Sequence, residues 1–342
     1  MEINLNKFLV CGNIYLGNTA KCVLDYLIQN DRIVESFNFS KYFKITRFKL
    51  LNKFFSSLIE KKINKDLIQI LNRFKPDVLF VIKGLNIFPE TLTYAKSNGV
   101  VLVNWNLDDF ENSLNNSTHM RKSYGLYDYV FTNKFELISL YEKLGMKNVS
   151  FIENYYIKDI HKPINDLPSK KSISFVGSWS KKREKLLLAT DIEINVFGSG
   201  WKTRVLDSKK LRLNNALNQS DYVNVINESY INLNFLTEEN NDTVNLRFFE
   251  VCATNSLLIC EYSDRFNAYL NKDSEMTYFQ TSIHNDLRNK IDHILNLSDQ
   301  SYIDLKEKAF KRIISQNHSF SDRMNEIMKI IGITYNTKKI AR

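Results

Sequence analysis

TVNLRFFEVCATNSLLICEY, residues 243–262, reads as a helix carrying Arg247 and Glu250 one turn apart, a tight Asn255-Ser256 turn, and a buried strand. An Arg and a Glu near the start of a helix, followed by a wholly apolar strand, suit a nucleotide pocket at the edge of a parallel sheet. The positive helix end and its free N–H groups attract phosphate, an Arg can fork onto it, and a carboxylate can accept ribose hydroxyls. The same spacing also describes an i,i+3 surface ion pair. This segment alone leaves both readings open.

Outward from it, strand and helix alternate along the whole chain. Strand patterns fall at 8–11, 33–39, 78–82, 100–104, 129–132 and 150–152, then at 172–176, 193–197, 231–235 and 257–261. Helical patterns lie at 20–29, 47–73, 89–97 and 134–144, then at 182–189, 222–228, 244–253, 285–295 and 302–316. Continuous apolar strands separated by helices predict α/β architecture with doubly wound parallel sheets. HKPINDLPSKK, residues 161–171, holds two of the four prolines and is the expected linker between two Rossmann-like halves. Gly12, Gly84, Gly177 and Gly198 each follow an apolar strand run, at the carboxyl edge where open parallel sheets bind ligands. Two facing sheets with a cleft between them are expected.

Composition narrows the class. At 342 residues there is room for two ordinary domains, and 44% hydrophobic with 25% charged residues is a soluble globular balance. The apolar runs are too short to span a bilayer, and MEINLNKFLVCG is not a secretory signal, so a cytoplasmic location is expected. The four cysteines lack CxxC spacing and read as buried free thiols; the five histidines show no paired-ligand spacing, so no metal site is expected. The net charge of +9 is spread through the chain without a nucleic-acid signature. It favours an anionic substrate, or peripheral contact with the inner face of a membrane, over nucleic acid.

Four segments carry chemistry. SFVGSWSKKR (174–183) is a strand, a Gly177-Ser178 turn and a basic helix start, where Lys182 or Arg183 can supply charge to a diphosphate. VFGSGW (196–201) ends a strand in a flexible turn of Gly198, Ser199 and Gly200, with Trp201 able to edge a base or pack as a lid. Asp242 and Glu250 place two carboxylates across a loop-to-helix boundary, with Asp242 as N-cap of a helix beginning near Thr243. Asp108 and Asp109, in WNLDD (105–109), follow a buried strand, where one can act as general base for an acceptor hydroxyl or simply cap a helix.

In this order, FVGSWSKKR, VFGSGW, YINLNFL, NLRFFEVCATNSLLICEYSD and NHSFSDR (317–323) resemble CgeB-like (spore-maturation-protein-like) bacterial glycosyltransferases of the GT-B fold. WNLDD and the 127–163 run resemble their first half, so the resemblance extends from about Pro76 to Arg323. It implies an acceptor-side domain at 1–163, a nucleotide-sugar donor domain at 164–318, and a C-terminal helix returning to the first domain within 319–342. It implies that Glu250 holds ribose hydroxyls and Arg247 the diphosphate or sugar. Gly177, Ser178 and Arg183 would line the phosphate region, Gly198, Ser199, Gly200 and Trp201 the base side, with Asn245 at the donor helix. Gly12 and Asn13 would lie on the acceptor side, and Asp108, Asp109 and Asp242 are the catalytic candidates.

The sequence departs from that family in having Asp242 where Glu is frequent and Thr254-Asn255 where Gly is common. The activity implied is metal-independent transfer from a nucleotide-sugar, a UDP-sugar first, to a saccharide, lipid-linked or protein acceptor, with no separate cofactor. Bacterial surface polysaccharide is the expected product. A nucleotide-sugar epimerase or a non-catalytic sugar- or partner-binding protein are the alternatives on the same fold.

Overall fold

The computed structural model describes residues 5–43, 49–164, 171–205, 209–240, 243–272 and 274–332. The chain divides into two compact units, Met1–Glu153 with Ser321–Arg342, and Asn154–Phe320.

The first unit runs β1 (Lys7–Gly12), α1 (Thr19–Gln29), β2 (Ile33–Asn38), α2 (Lys49–Phe74), β3 (Val78–Ile82), α3 (Pro89–Ser97), β4 (Val101–Asn106), α4 (Thr118–Ser123), β5 (Tyr129–Thr132), α5 (Ile138–Lys143) and β6 (Val149–Phe151). Its six strands form one parallel sheet in the order β2-β1-β3-β4-β5-β6. Phe8, Leu9, Val10 and Val78–Val81 are fully buried because helices cover both faces of a parallel sheet. At the amino edge, the Asp77 carboxylate accepts the Asn6 and Lys7 N–H groups at 2.8 and 2.7 Å, tying the start of β1 to that of β3.

The second unit runs β7 (Ile173–Val176), α6 (Lys181–Ala189), β8 (Ile194–Phe197), α7 (Trp201–Arg204), β9 (Leu211–Asn214), α8 (Gln219–Glu228), β10 (Ile231–Asn234), α9 (Leu246–Ala253), β11 (Leu258–Glu261), β12 (Thr277–Phe279), α10 (Asp286–Leu295) and α11 (Asp299–Ser315). Again the sheet is parallel, in the order β12-β11-β10-β7-β8-β9. From β7 the chain winds out to β9 and then returns to the other side of β7 with β10. Connections at the carboxyl ends of β7 and β10 therefore diverge and leave a crevice between them, the switch point where such sheets bind ligands. The last helix, α12 (Phe320–Ile330), lies almost wholly within the first unit, where Asn325 accepts a 2.5 Å bond from the Tyr26 hydroxyl on α1.

The α/β reading and the parallel sheets are as expected. The edge strands β9 and β12 and the short helices α4 and α7 were not legible, being three to six residues long with no room for a period to show. Within the expected linker, residues 165–170 lie outside the described residues. His161 is buried, and the Lys162 carbonyl and Ile164 N–H are held by Asn227 of α8. All four cysteines are free and buried; burial pushes the Cys252 thiol up to about 12 and raises Cys11 and Cys260 as well. No described helix is long and apolar enough to cross a membrane.

Candidate functional site

Two βα turns of the second unit lie back to back at its carboxyl edge. The Gly177 N–H donates to Phe197 O, and the Trp179 N–H to Ser199 O, both at 2.9 Å, so the β7–β8 ladder continues beyond the strands. A Cβ on Gly198 would stand 2.0 Å from the Gly177 carbonyl oxygen, so only glycine allows the approach. Ser178 and Ser199, both exposed, meet hydroxyl to hydroxyl at 3.0 Å on the open side.

Trp201 corrects an expectation. It is fully buried against Phe175, and its indole N–H donates to Gly177 O at 2.8 Å. A side chain in the core presents no face to a base, so Trp201 fastens one turn to the other. Trp179, only partly buried, is an aromatic at this edge; its ring carries the Arg204 guanidinium at 4.4 Å.

Ser180 caps α6 by accepting the Arg183 N–H, which brings the basic first turn to the switch point. Arg183 spans the crevice, donating from Nη1 to Ser178 O and from Nη2 to Thr237 Oγ1, both at 2.9 Å. Lys182 reaches the Glu261 carboxylate at 2.6 Å and Glu238 at 3.4 Å, while the other Glu261 oxygen accepts the Leu236 N–H at 3.0 Å. Glu261 thus fixes both the lysine and the loop after β10. Thr237 and Glu261 went unnoticed in the sequence, although Glu261 is the lone charge ending an apolar strand.

The α9 helix begins later than expected. Its N-cap is Asn245, whose side chain accepts the Phe248 N–H, so the helix starts at Leu246 and not near Thr243. Asp242, expected as that cap, lies outside the described residues. Asn245 and buried Asn234 exchange reciprocal bonds of 3.0 and 2.9 Å. With its side chain committed to the cap and to β10, Asn245 can serve a ligand by orienting the helix start and not through its own amide. At the far end Asn255 takes φ +54°, the left-handed conformation for which glycine is the usual choice and which Asn tolerates.

Arg247 and Glu250 form the ion pair that their spacing allows, at 3.3 Å, but it is no surface pair. The Glu250 carboxylate also accepts the Tyr222 hydroxyl at 2.7 Å, the Arg247 guanidinium lies 4.0 Å over the Tyr222 ring, and fully buried His161 stands 3.9 Å away. Tyr222 and His161 come from segments that carry no motif, and folding alone brings them to α9.

In the first unit, Gly12 is buried; a Cβ there would meet Ala20 at 2.6 Å, so it permits the close approach of α1. Asn13 beside it is exposed. Asp108 is paired with Lys83 at 2.5 Å, and Lys83 also donates to Asn115 at 3.1 Å. Asp109 accepts the Glu111 N–H at 2.8 Å, the turn-capping role weighed against a general base. Lys83, next to Gly84 in a left-handed turn, was not anticipated. Among the described residues no three His, Cys, Asp or Glu side chains gather as a metal site.

Comparison with known proteins agrees with this geometry. Residues 178–329, rather less than half the chain, match the model of a family described as glycosyl transferase-like. No curated protein sequence matches significantly. Among solved structures, sucrose-phosphate synthase from Thermosynechococcus elongatus superposes with a TM-score of 0.70 at 9% identity, over 95% of this chain and 98% of that one. An α,α-trehalose-phosphate synthase (UDP-forming) from Burkholderia vietnamiensis gives 0.66 at 11% identity, over 96% and 99%. Anabaena HepE, in complex with UDP and glucose, gives 0.63 at 11% identity, over 95% and 99%. At such identities the likeness establishes the fold, that of the GT-B enzymes. The segment that matches the glycosyl transferase-like family thus lies mostly in the second unit of a chain built on two six-stranded parallel sheets.

Proposed function

We propose that this protein transfers a sugar from a nucleotide-sugar, a UDP-sugar first, and that the second unit binds the donor. The observation that carries this is Arg183 bridging Ser178 and Thr237 across the β7/β10 switch point, where the starts of α6 and α9 bring free N–H groups. In this reading the diphosphate lies against Gly177, Ser178 and Arg183, with Arg247 on the sugar side and Glu250 on the ribose. Positive charge and helix amides stabilise the diphosphate as it departs, so its negative charge is met by groups already in place. The Anabaena complex with UDP-glucose supports the choice of donor.

The acceptor belongs, in the same proposal, to the carboxyl edge of the first sheet, near Gly12, Asn13 and Asp108. Asp108, held by Lys83, is the better candidate base of the two aspartates because its carboxylate is tied to a side chain and not spent on a turn. Tyr15, Leu16, Leu114 and Phe135 stand exposed on the loops after β1, β4 and β5. They fit an acceptor with an apolar part, such as a lipid-linked saccharide at the inner face of a membrane. The order of the motifs from WNLDD to NHSFSDR, strongest over residues 172–262, supports a place near the CgeB-like group.

The test is a thermal-shift screen against UDP-, GDP-, TDP- and CMP-sugars, followed by acceptor-dependent release of nucleotide. Stabilisation by one donor class, lost in Arg183→Ala and Glu250→Ala, is expected. The proposal fails if no donor stabilises the protein, and epimerisation of free donor without acceptor would replace transfer by the epimerase reading.

A further inference from the structure

Glu250 is held from three sides before any ligand arrives. Its Oε2 accepts the Tyr222 hydroxyl from α8 at 2.7 Å and the Arg247 Nη1 at 3.3 Å. Its Oε1 faces the His161 Nε2 at 3.9 Å, beyond hydrogen-bond range. The His161 ring is itself fixed: Nδ1 accepts the Ile157 N–H at 2.9 Å, so a neutral ring carries its proton on Nε2. The Gln219 amide, 3.2 Å from that Nε2, then turns its oxygen toward the ring, an orientation set by the hydrogen-bond network. Burial lowers the His161 pKa, with Glu250 opposing and Arg247 adding to the shift, and burial raises that of Tyr222 far above its ordinary range. Tyr222 therefore remains a donor at neutral pH, while the neutral His161 ring gives its Nε2–H to the Gln219 oxygen and stands beside Oε1 without bonding to it.

A carboxylate offers about four acceptor positions, two on each oxygen. Tyr222 and Arg247 fill those of Oε2, which leaves Oε1 as the open edge of a side chain still 15% exposed. We infer that Tyr222, through its hydrogen bond, and His161, as the wall beside Oε1, are positioning residues that lock the Glu250 carboxylate with Oε2 turned inward, so that Oε1 is the edge that receives the ribose of the donor. This rests on the nucleotide-binding reading above and adds to it a geometry that the motif does not contain. Locking a Glu side chain in advance spares the ligand its ordering cost, on the order of tenfold in affinity.

Calorimetric titration with UDP, and with GDP, CDP and TDP beside it, tests this on the full chain. The variants are Tyr222→Phe, His161→Gln and Glu250→Ala, with each positioning variant also combined with Glu250→Ala, and their melting temperatures report folding. Tyr222→Phe is expected to weaken binding about tenfold, and that loss should vanish in the Glu250→Ala background, because it acts through Glu250. Should Tyr222→Phe fail to fold, His161→Gln supplies the same cycle. Of 2′-deoxy- and 3′-deoxy-UDP, at least one should bind wild type more weakly than UDP, and that loss should vanish in Glu250→Ala.

Binding of both deoxynucleotides at full UDP affinity would show that Glu250 receives no ribose hydroxyl and overturn the Oε1 geometry. Unchanged affinity in both positioning variants, with Glu250→Ala weak, overturns the positioning role while sparing the donor site. Wild-type affinity in Glu250→Ala, or no binding of any nucleotide by wild type, removes both readings.

Discussion

Replacing Gly198 by Ala tests the construction of the donor edge most directly. The new Cβ would stand 2.0 Å from the Gly177 carbonyl oxygen, whereas ordinary contact begins near 3.4 Å, so the β7 and β8 turns must part by more than an ångström. Neither turn can yield by rotating a side chain, since the obstacle is backbone. Parting them stretches the Gly177–Phe197 and Trp179–Ser199 bonds, now 2.9 Å each. At about 1 kcal/mol apiece, with overpacking adding about 1–3 kcal/mol, the loss comes to roughly 3–5 kcal/mol. In a unit of this size that lowers the melting temperature by about 10 °C.

Nucleotide affinity should fall with it, because Ser178 and Arg183 hang from the displaced turn. Gly99→Ala is the control: its φ of +78° is strained for alanine, but nothing lies within 4 Å, so about 1 kcal/mol is expected. Thermal and denaturant unfolding with and without UDP read both variants. If Gly198→Ala melts with Gly99→Ala and keeps its nucleotide shift, the two turns do not depend on their close contact.

Two further outcomes follow from the same residues. Asn245→Ala removes the α9 cap and leaves buried Asn234 without its reciprocal partner, so denaturant unfolding should show a loss of about 2 kcal/mol. Asn245→Asp, which keeps the cap and one acceptor, should recover part of it. For His161, burial lowers the folded pKa below the ordinary 6.5, so the unfolded chain binds the proton first as pH falls. This share of stability is complete above pH 6.5 and declines below it until the folded pKa is reached; the pH dependence of unfolding between 7 and 5 should be flatter in His161→Gln, and an unchanged slope would show that His161 is not held neutral.

Much of the architecture was legible because it rests on local pattern. Apolar runs of four to six residues separated by helical periods leave little besides parallel sheets, and glycines at strand ends mark the carboxyl edges. The late start of α9 was missed because Asn245 and Asp242 are both good caps in sequence, and only the bond to Asn234 selects between them. Trp201 was misplaced for a related reason. A Trp after Gly-Ser-Gly reads equally well as a lid or as core, and the space between Phe175 and Gly177 O decides the matter.

By itself, then, the sequence determined the alternation of elements, the basic start of α6 and the placing of Arg247 and Glu250 on one helix face. All of these depend on spacings within one element, which the 3.6-residue and two-residue periods encode directly. What only the tertiary structure decided are the partners at long separation: Thr237 for Arg183, Glu261 for Lys182, and Tyr222 with His161 for Glu250. Those pairs come from different strands and helices, and no local periodicity records which side chains a parallel sheet will carry to the same edge. The pair that spacing left open between a surface contact and a binding group is an ion pair built into a buried cluster, because α8 and the segment before β7 close over it.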